Sequence, residues 1–363
     1  MKKVSVQLKE RSYNILIGAG LIQESGRLLK RLGLCGAAVV ITNKRLLHLY
    51  GKPLGTSLRK HGFGLRFITV PDSERAKSSG VATGILNKIA SADHGGSVFL
   101  VALGGGVVGD LTGFIASIYK RGVPYVQIPT TLLAQVDSSI GGKTAIDLPS
   151  AKNLAGSFYQ PKIVISDVSV LKSLPKRRLI SAMAEIIKYG IIKDRKLFEY
   201  IETNCSKIQR GHKLALEHVI TEASRIKAGI VSKDERDNKG LRIILNYGHT
   251  AGHAIEAASS YAGKYDHGES VSVGMLIAVD IAREMHIINL RDAGKMAALI
   301  KKCGLPSKVK GISLAKVYSS LLHDKKFTGG RNRFVLPVGI GKIKVVEGVP
   351  VNIIKQAISG HIA

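Results

Sequence analysis

The sequence predicts an α/β protein in two parts, a parallel sheet with crossover helices followed by a mostly helical half. Three observations predict it. Short β-branched runs alternate with amphipathic stretches through the first 150 residues, one of these runs enters a glycine-rich turn, and helical periods dominate from Leu179 onward. Strands of this length separated by helices of roughly 10–15 residues read as βαβ units, because parallel neighbours need a crossover between them.

The elements follow in order. Candidate strands are Val4–Leu8, Asn14–Ile17, Ala38–Thr42, Leu65–Val70, Ser97–Leu103 and Tyr125–Ile128, with amphipathic stretches such as Ile22–Leu32 and Ala76–Ala90 between them. After the apolar run within Pro161–Asp167 the pattern changes to helical alternation at Arg195–Lys207, His212–Ser232, Val271–Met285 and Asp292–Lys302. A boundary within Ser166–Pro175 gives an α/β domain over residues 1–170 and a helical domain over 171–363. Pockets favour domain clefts, so the chemistry is expected between the two.

Composition excludes several classes. A length of 363 residues exceeds one average core, while 45% hydrophobic and 22% charged residues are ordinary for a globular protein. The start, MKKVSVQLKERS, lacks the apolar stretch of a signal peptide, and the run around Val98–Val108 is broken by glycines and too short for a bilayer. The scattered Cys35, Cys205 and Cys303 argue for reduced thiols and a cytoplasmic location over a disulfide frame. The net charge of +28 is the unusual bulk property. Its basic residues are dispersed, no aromatic-rich RNA-binding signature or zinc finger accompanies them, and Trp is absent, so specific nucleic-acid binding is not expected. The imbalance fits a proteome-wide bias or steering of an anionic small molecule instead.

The strand at Ser97–Leu103 runs into Gly104-Gly105-Gly106-Val107-Val108-Gly109-Asp110, a G-x-G-x-x-G spacing between strand and helix. Glycines there admit a pyrophosphate, and the helix start offers free N–H groups and a positive dipole end. The acidic residue expected about 20 positions on is missing, since Lys120, Arg121 and Gln127 occupy that region. An ordinary Rossmann fold is therefore disfavoured. Asp72 and Glu74, after the neighbouring strand, are the acids that could hold a ribose. Ser138-Ser139-Ile140-Gly141-Gly142-Lys143-Thr144 ends like a phosphate-binding loop, but Asp137 stands where that motif needs glycine. Lys143, Lys152 and Asn153 read better as a cationic, hydrogen-bonding wall for an anion.

The segment LNYGHTAGHAIE places His249 and His253 one helical turn apart on one face. Glu185 and Lys188 lie upstream in AEIIKYG, and His267 downstream in a turn. Two or three histidines plus one carboxylate form the ligand set of a catalytic divalent ion with an open position. The H-E-x-x-H motif is excluded, because Thr250 stands where it needs glutamate.

In order, LGGGVVGDLTGFIAS, QIPTTLLAQVDSSIGGKTAID, AKNLAGSFYQP, AEIIKYG, GLRIILNYGHTAGHAIE, DHGESVSVGM and HDKK resemble the 3-dehydroquinate synthases, over roughly Asp72 to Lys326. The resemblance implies a Rossmann-like, parallel-sheet NAD-binding domain and a helical metal-binding domain. It implies zinc or cobalt on Glu185, His249 and His267, with His253 as a substrate contact although spacing alone pairs it with His249. Implied NAD contacts are Asp72, Glu74, Lys77, Gly104, Gly105, Gly106, Val107, Asp110, Thr130, Thr131, Asp137, Ser138, Lys143 and Lys152. Implied substrate and catalytic residues are Arg121, Asp137, Lys143, Lys152, Asn153, Lys188, Lys227, Arg242, Asn246, His253 and one of Lys325 and Lys326, with Lys325 taken first.

Departures from the family pattern are Ser73, Ala151, Ala251 and the pair Ser181-Ala182, all small residues beside the motifs. The implied reaction converts 3-deoxy-D-arabino-heptulosonate 7-phosphate to 3-dehydroquinate and phosphate. It combines transient oxidation by NAD, elimination, re-reduction and an aldol closure, with no net oxidation. A homodimer is expected. The alternative is another sugar-phosphate cyclase such as 2-deoxy-scyllo-inosose synthase, whose substrate lacks the carboxylate that Lys227, Arg242 and Lys325 would serve. A polyol dehydrogenase, which would release NADH, is less well matched.

Overall fold

The computed structural model describes residues 1–91, 93, 95–259, 265–322 and 332–363. Lys325 and Lys326 fall outside these. The chain forms two compact units, Met1–Leu174 with Leu216–Arg236, and Pro175–Ala215 with Asp237–Ala363. The first crossing lies between Leu174 and Pro175, and the later segment Leu216–Arg236 belongs with the first unit. A helical period shows which face is buried, not which body buries it.

The first unit contains β1 (Lys2–Val6), β2 (Tyr13–Gly18), α1 (Leu21–Arg31), β3 (Ala37–Asn43), α2 (Lys44–Lys60), β4 (Gly64–Val70), α3 (Ser79–Ala90), β5 (Val98–Gly104), α4 (Gly106–Ile118), β6 (Tyr125–Pro129), β7 (Lys143–Leu148), β8 (Ala151–Phe158) and β9 (Ile163–Asp167). The main sheet runs β1-β2-β9-β6-β5-β3-β4, with β1 antiparallel to β2 and every other pairing parallel. Its strands are apolar on both faces. In β5, Val101 and Leu103 join Leu28, Leu29, Leu54 and Leu58 of α1 and α2. Leu100 and Ala102 join Ile85, Leu111 and Ile115 of α3 and α4. This period-2 division, with helices covering each face, is why the strands read as unbroken β-branched runs.

Differences from the sequence expectation have local causes. The first strand ends at Val6, and Leu8 precedes a 3₁₀ turn at Lys9–Arg11. The helix α2 went unread because it carries Pro53, Gly51 and Gly55, residues that ordinarily break a helix. The hairpin β7–β8 went unread because β8 is exposed at most positions and shows no alternation.

The second unit contains α5 (Lys176–Ile192), α6 (Arg195–Gln209), then, after α7 (Lys213–Lys233), which lies largely in the first unit, α8 (His249–Ala258), α9 (His267–Glu284), α10 (Leu290–Lys302), α11 (Leu314–Leu322), β10 (Arg333–Gly339), β11 (Lys342–Glu347) and α12 (Val351–Ser359). α9 is central, touching α5, α8, α10, α12 and β10 and burying its residues from Gly268 to Ala282 almost continuously. The antiparallel β10–β11 pair is a second hairpin inside a half read as helical. Among the described residues no helix is long and apolar enough to cross a membrane.

Candidate functional site

Three elements of the second unit bring the histidines to one buried carboxylate. Glu185 sits mid-α5 and is fully buried, with His249 Nε2 at 3.4 Å and His267 Nε2 at 3.5 Å from its Oε1. These three residues each offer a ligand atom within 4.8 Å of the others. The Lys188 ammonium, also buried, pairs with the other carboxylate oxygen of Glu185 and lies 5.1 Å from the Tyr189 ring. His249 Nδ1 lies 3.1 Å from the Tyr247 carbonyl, so its N–H is donated there and Nε2 faces the carboxylate. Burial and the neighbouring Lys188 ammonium push the His249 imidazole well down, keeping it neutral as a ligand must be. Burial acts on His267 in the same sense, but hydrogen bonds to Glu185 and Glu256 overcome it and carry the pKa up to about 10. His267 thus lies between two carboxylates, Glu185 facing its Nε2 and Glu256 its Nδ1. A carboxylate oxygen and two imidazole nitrogens are a donor set that fits zinc or cobalt.

Local folding fixes these side chains. Gly248 caps α8 at φ 78°, and a β-carbon there would meet Met275 Cγ at 2.5 Å, so only glycine permits the turn that starts the helix at His249. The helix α9 starts at His267 behind a capping box: the Asp266 side chain accepts from Glu269 N, and Glu269 returns to Asp266 N. Arg177 grips both oxygens of Glu269 at 2.8 Å, and the Ser181 hydroxyl donates to Asp266. Ser181, a departure from the family pattern, therefore ties α5 to the start of the helix that carries His267.

The first unit assembles a different site at the carboxyl ends of β3, β4 and β5. The chain leaves β3 toward β4 and leaves β5 toward β6, so the winding reverses between β3 and β5, where open α/β sheets bind ligands. Gly104 and Gly105 lead into α4, with Gly105 as its N-cap. β-Carbons on Gly105 and Gly106 would meet Thr131 at 3.1 Å and Ser138 at 2.9 Å, so both glycines also serve a close approach within the protein. Thr130 N donates to the Gly104 carbonyl at 2.9 Å, and Asn43 Nδ2 donates to Asp72 Oδ1 at 2.7 Å. Lys77 is buried and donates to Asp110 Oδ2 at 2.9 Å and to Asn153 Oδ1, with Glu74 at 3.8 Å and Asp147 at 4.0 Å. Burial pushes the Asp110 carboxyl up to about 6, against the pull of Lys77.

The remaining residues named from the sequence fall on these two frames. Asp137 lies in a π-helical turn at Ala134–Ser138, and Lys227 of α7 donates to its Oδ1 at 2.6 Å and to its carbonyl at 2.9 Å. Arg121 and Asn153 hold left-handed backbone, φ 63° and 54°, a strained choice for non-glycine residues that concentrates at binding sites. The Asn153 N–H donates to Asp147 Oδ1 at 2.8 Å, which stabilises that turn of the chain. Lys143 opens β7, with its ammonium 6.0 Å from the Phe158 ring, and Lys152 is exposed on β8. Val107 occupies the first turn of α4. Arg242, buried, and Asn246 share the 3₁₀ segment Leu241–Asn246 just before α8. His253 is exposed, its ring 5.3 Å from that of His249 and 6.1 Å from that of His267.

Sequence reasoning missed Glu256 and Asp147. His253, Glu256 and His267 form a second set of donor atoms within 4.8 Å of one another. The signal available for Glu256 was its spacing, i+7 from His249 and i+3 from His253, which extends the same helical stripe. Asp147 had none beyond its nearness in sequence to Lys152 and Asn153.

The first unit carries a doubly wound sheet and the second a carboxylate–histidine cluster, and the solved structures similar to the chain include sugar-phosphate cyclases. Among solved structures the chain is similar to a 2-deoxy-scyllo-inosose synthase complexed with carbaglucose-6-phosphate, NAD+ and Co2+, at a TM-score of 0.89 and 25% identity over 99% of this chain and 100% of that one. It is equally similar to the 2-epi-5-epi-valiolone synthase of Streptomyces hygroscopicus subsp. jinggangensis 5008 with NAD+ and Zn2+ bound, at 0.88 and 25% over 97% of each chain. Within that class, residues 67–181 match the family 3-dehydroquinate synthase N-terminal and residues 182–327 match 3-dehydroquinate synthase C-terminal. A 3-dehydroquinate synthase of Thermodesulfovibrio yellowstonii is 45% identical over 95% of this chain and 96% of its own length. The chain belongs to the 3-dehydroquinate synthase family.

Proposed function

We propose that this protein converts 3-deoxy-D-arabino-heptulosonate 7-phosphate to 3-dehydroquinate and phosphate, with NAD and a zinc or cobalt ion as its cofactors. The observation that carries the reading is the convergence of Glu185, His249 and His267 on one point, within a chain of this family. Those residues would hold the ion. Gly104 to Gly106, the start of α4, Asp72, Glu74, Lys77 and Asp110 would hold the cofactor, together with the other contacts named from the sequence. When bound, NAD accepts and returns a hydride while the ion withdraws electron density from substrate oxygens.

The chain's own residues supply position and field. Lys188 offsets the charge of Glu185 and offers its remaining donors to an anion. Lys152 and Asn153 are assigned to the phosphate, with Asp147 holding the Asn153 backbone ready. Lys143, Lys227, Arg242 and the lysine pair Lys325-Lys326 are assigned to the carboxylate and hydroxyls, and Arg121 and Asn246 to further polar contacts. His253, exposed with its ring 5.3 Å from that of His249, is assigned the proton relay. We further propose a cytoplasmic homodimer, which sedimentation of the purified protein tests directly.

The deciding experiment incubates the metal-loaded protein with the heptulosonate phosphate and NAD far below substrate concentration. Release of phosphate matched by 3-dehydroquinate, with no accumulation of NADH, is expected. Stoichiometric NADH would point to a polyol dehydrogenase. Turnover of glucose 6-phosphate in preference to the heptulosonate would move the protein to the 2-deoxy-scyllo-inosose type.

A further inference from the structure

Two carboxylates approach His267, and only one of them is needed as a ligand. His267 Nε2 faces Glu185 Oε1 at 3.5 Å, whereas its Nδ1 faces Glu256 Oε2 at 3.4 Å. Glu256 is four-fifths buried on α8, two helical turns beyond His249 and on the same face. We infer that Glu256 is a positioning residue: it accepts the Nδ1 proton of His267 and thereby presents Nε2, correctly turned, to the ion proposed above.

The inference rests on that metal reading and on three observations. The first is parity between the two histidines. His249 is oriented by the Tyr247 carbonyl at Nδ1, and His267 has no need of a different ligand nitrogen if Glu256 plays the same part. Outer partners of this kind set the tautomer and ring angle of metal-binding imidazoles. The second is division of labour along one helix. α8 provides a ligand at its first residue and, at Glu256, the group that orients the ligand brought by α9. The third is charge. Lys188 already sits against Glu185, so Lys188 (+1), Glu185 (−1) and a divalent ion (+2) sum to a formal +2, which Glu256 (−1) lowers to +1.

The rival role for Glu256 is direct ligation of a second cation with His253 and the Nδ1 of His267, since those three donors also lie within 4.8 Å. That role would strip His267 of its Nδ1 proton and rests on an exposed imidazole, so it is the less favoured use of the same atoms.

The test is competition for zinc between metal-free protein and a chromophoric chelator, in the wild type, Glu256→Ala, Glu256→Gln and His249→Ala. We expect one ion per chain in the wild type and in both Glu256 variants, and loss of the ion in His249→Ala. Glu256→Ala should weaken binding by about 10- to 100-fold, the usual effect of removing an outer partner. Glu256→Gln, whose amide oxygen still accepts the N–H, should lose less than about tenfold. The melting temperature of the metal-free Glu256→Ala protein should match the wild type, which a merely structural role would not allow. Wild-type affinity in Glu256→Ala overturns the inference, as does a wild type that binds two ions with Glu256→Ala binding one. If Glu256→Ala does not fold, Glu256→Gln decides, and a loss there beyond about 100-fold overturns positioning in favour of ligation. His249→Ala separates the two readings: wild-type affinity in that variant would sink the metal site itself, whereas loss there with unchanged Glu256→Ala affinity would sink the positioning role alone.

Discussion

At the scale of single residues, the two candidate partners of His249 differ in burial and in what they face. His267 and Glu185 share its pocket, while His253 is exposed on the next turn. Replacing His249 with alanine should remove the metal from the purified protein, and His253→Ala should retain it while slowing turnover by at least about tenfold. Equal metal loss in both, by atomic emission, would reinstate the i, i+4 pair. This is where the sequence was least legible. Helical spacing relates residues of one helix, but Glu185 and His267 come from two others; residue types offered both as candidates, and only resemblance to a family chose His267 over His253.

Asp110 carries a second residue-scale prediction. Burial lifts its carboxyl from the ordinary 3.8 to about 6, so between those values the folded protein keeps a proton that the unfolded chain has released. The stability contributed by the protonated form is complete below about pH 4 and is lost as pH rises through 6. The melting temperature of the NAD-free wild type, relative to Asp110→Asn, should therefore decline from pH 4 to pH 7. Parallel profiles for the two proteins would place the titration elsewhere.

At the scale of elements, the helices that carry the cluster meet almost backbone to backbone. A β-carbon on Gly274 of α9 would lie 2.0 Å from the Gly248 carbonyl, and one on Gly268 would lie 2.0 Å from that of Ser181. No side-chain rotation relieves such contacts, so Gly274→Ala should cost on the order of 3 kcal/mol and weaken metal binding, because Gly248 sets the turn before His249. An unchanged denaturation midpoint would refute the close approach. α6 and α10 offer another test: the buried Cys205 and Cys303 sulfurs lie 2.8 Å apart, a pairing that three scattered cysteines gave no cause to expect. Diamide, by taking two electrons and two protons, should join them, lowering the chain mass by two hydrogens. Exposed Cys35 should react with thiol reagents first, since the buried pair waits for local opening. A disulfide that still forms in Cys205→Ser without linking two chains would discredit the pairing. Elements with a buried face were legible in the sequence to within a few residues, as β3 to β6 and α10 show. Those lacking a one-sided pattern were not: α2 hides behind Pro53, and β7–β8 is a hairpin whose second strand faces solvent.

At the scale of the whole molecule, the excess of 54 basic over 26 acidic residues acts through distance and salt. A substrate with both carboxylate and phosphate should be drawn in by nearby cations, so kcat/KM should fall as ionic strength rises while kcat changes little. Not every lysine counts. Lys2 and Lys3 lie in β1, at the sheet edge and four strand spacings from the β5 glycine turn. At about 4.8 Å per spacing that is on the order of 19 Å, beyond the Debye length of about 8 Å at physiological salt. Neutralising both should leave the salt dependence of kcat/KM unaltered. Lys152→Ala should instead lose on the order of 2–4 kcal/mol of transition-state stabilisation, as a direct charge-assisted contact does. A loss there below about tenfold, roughly 1.4 kcal/mol, would remove Lys152 from the phosphate site. A salt response that survives in Lys152→Ala but vanishes with Lys2 and Lys3 would show that the charge serves the surface and not the substrate.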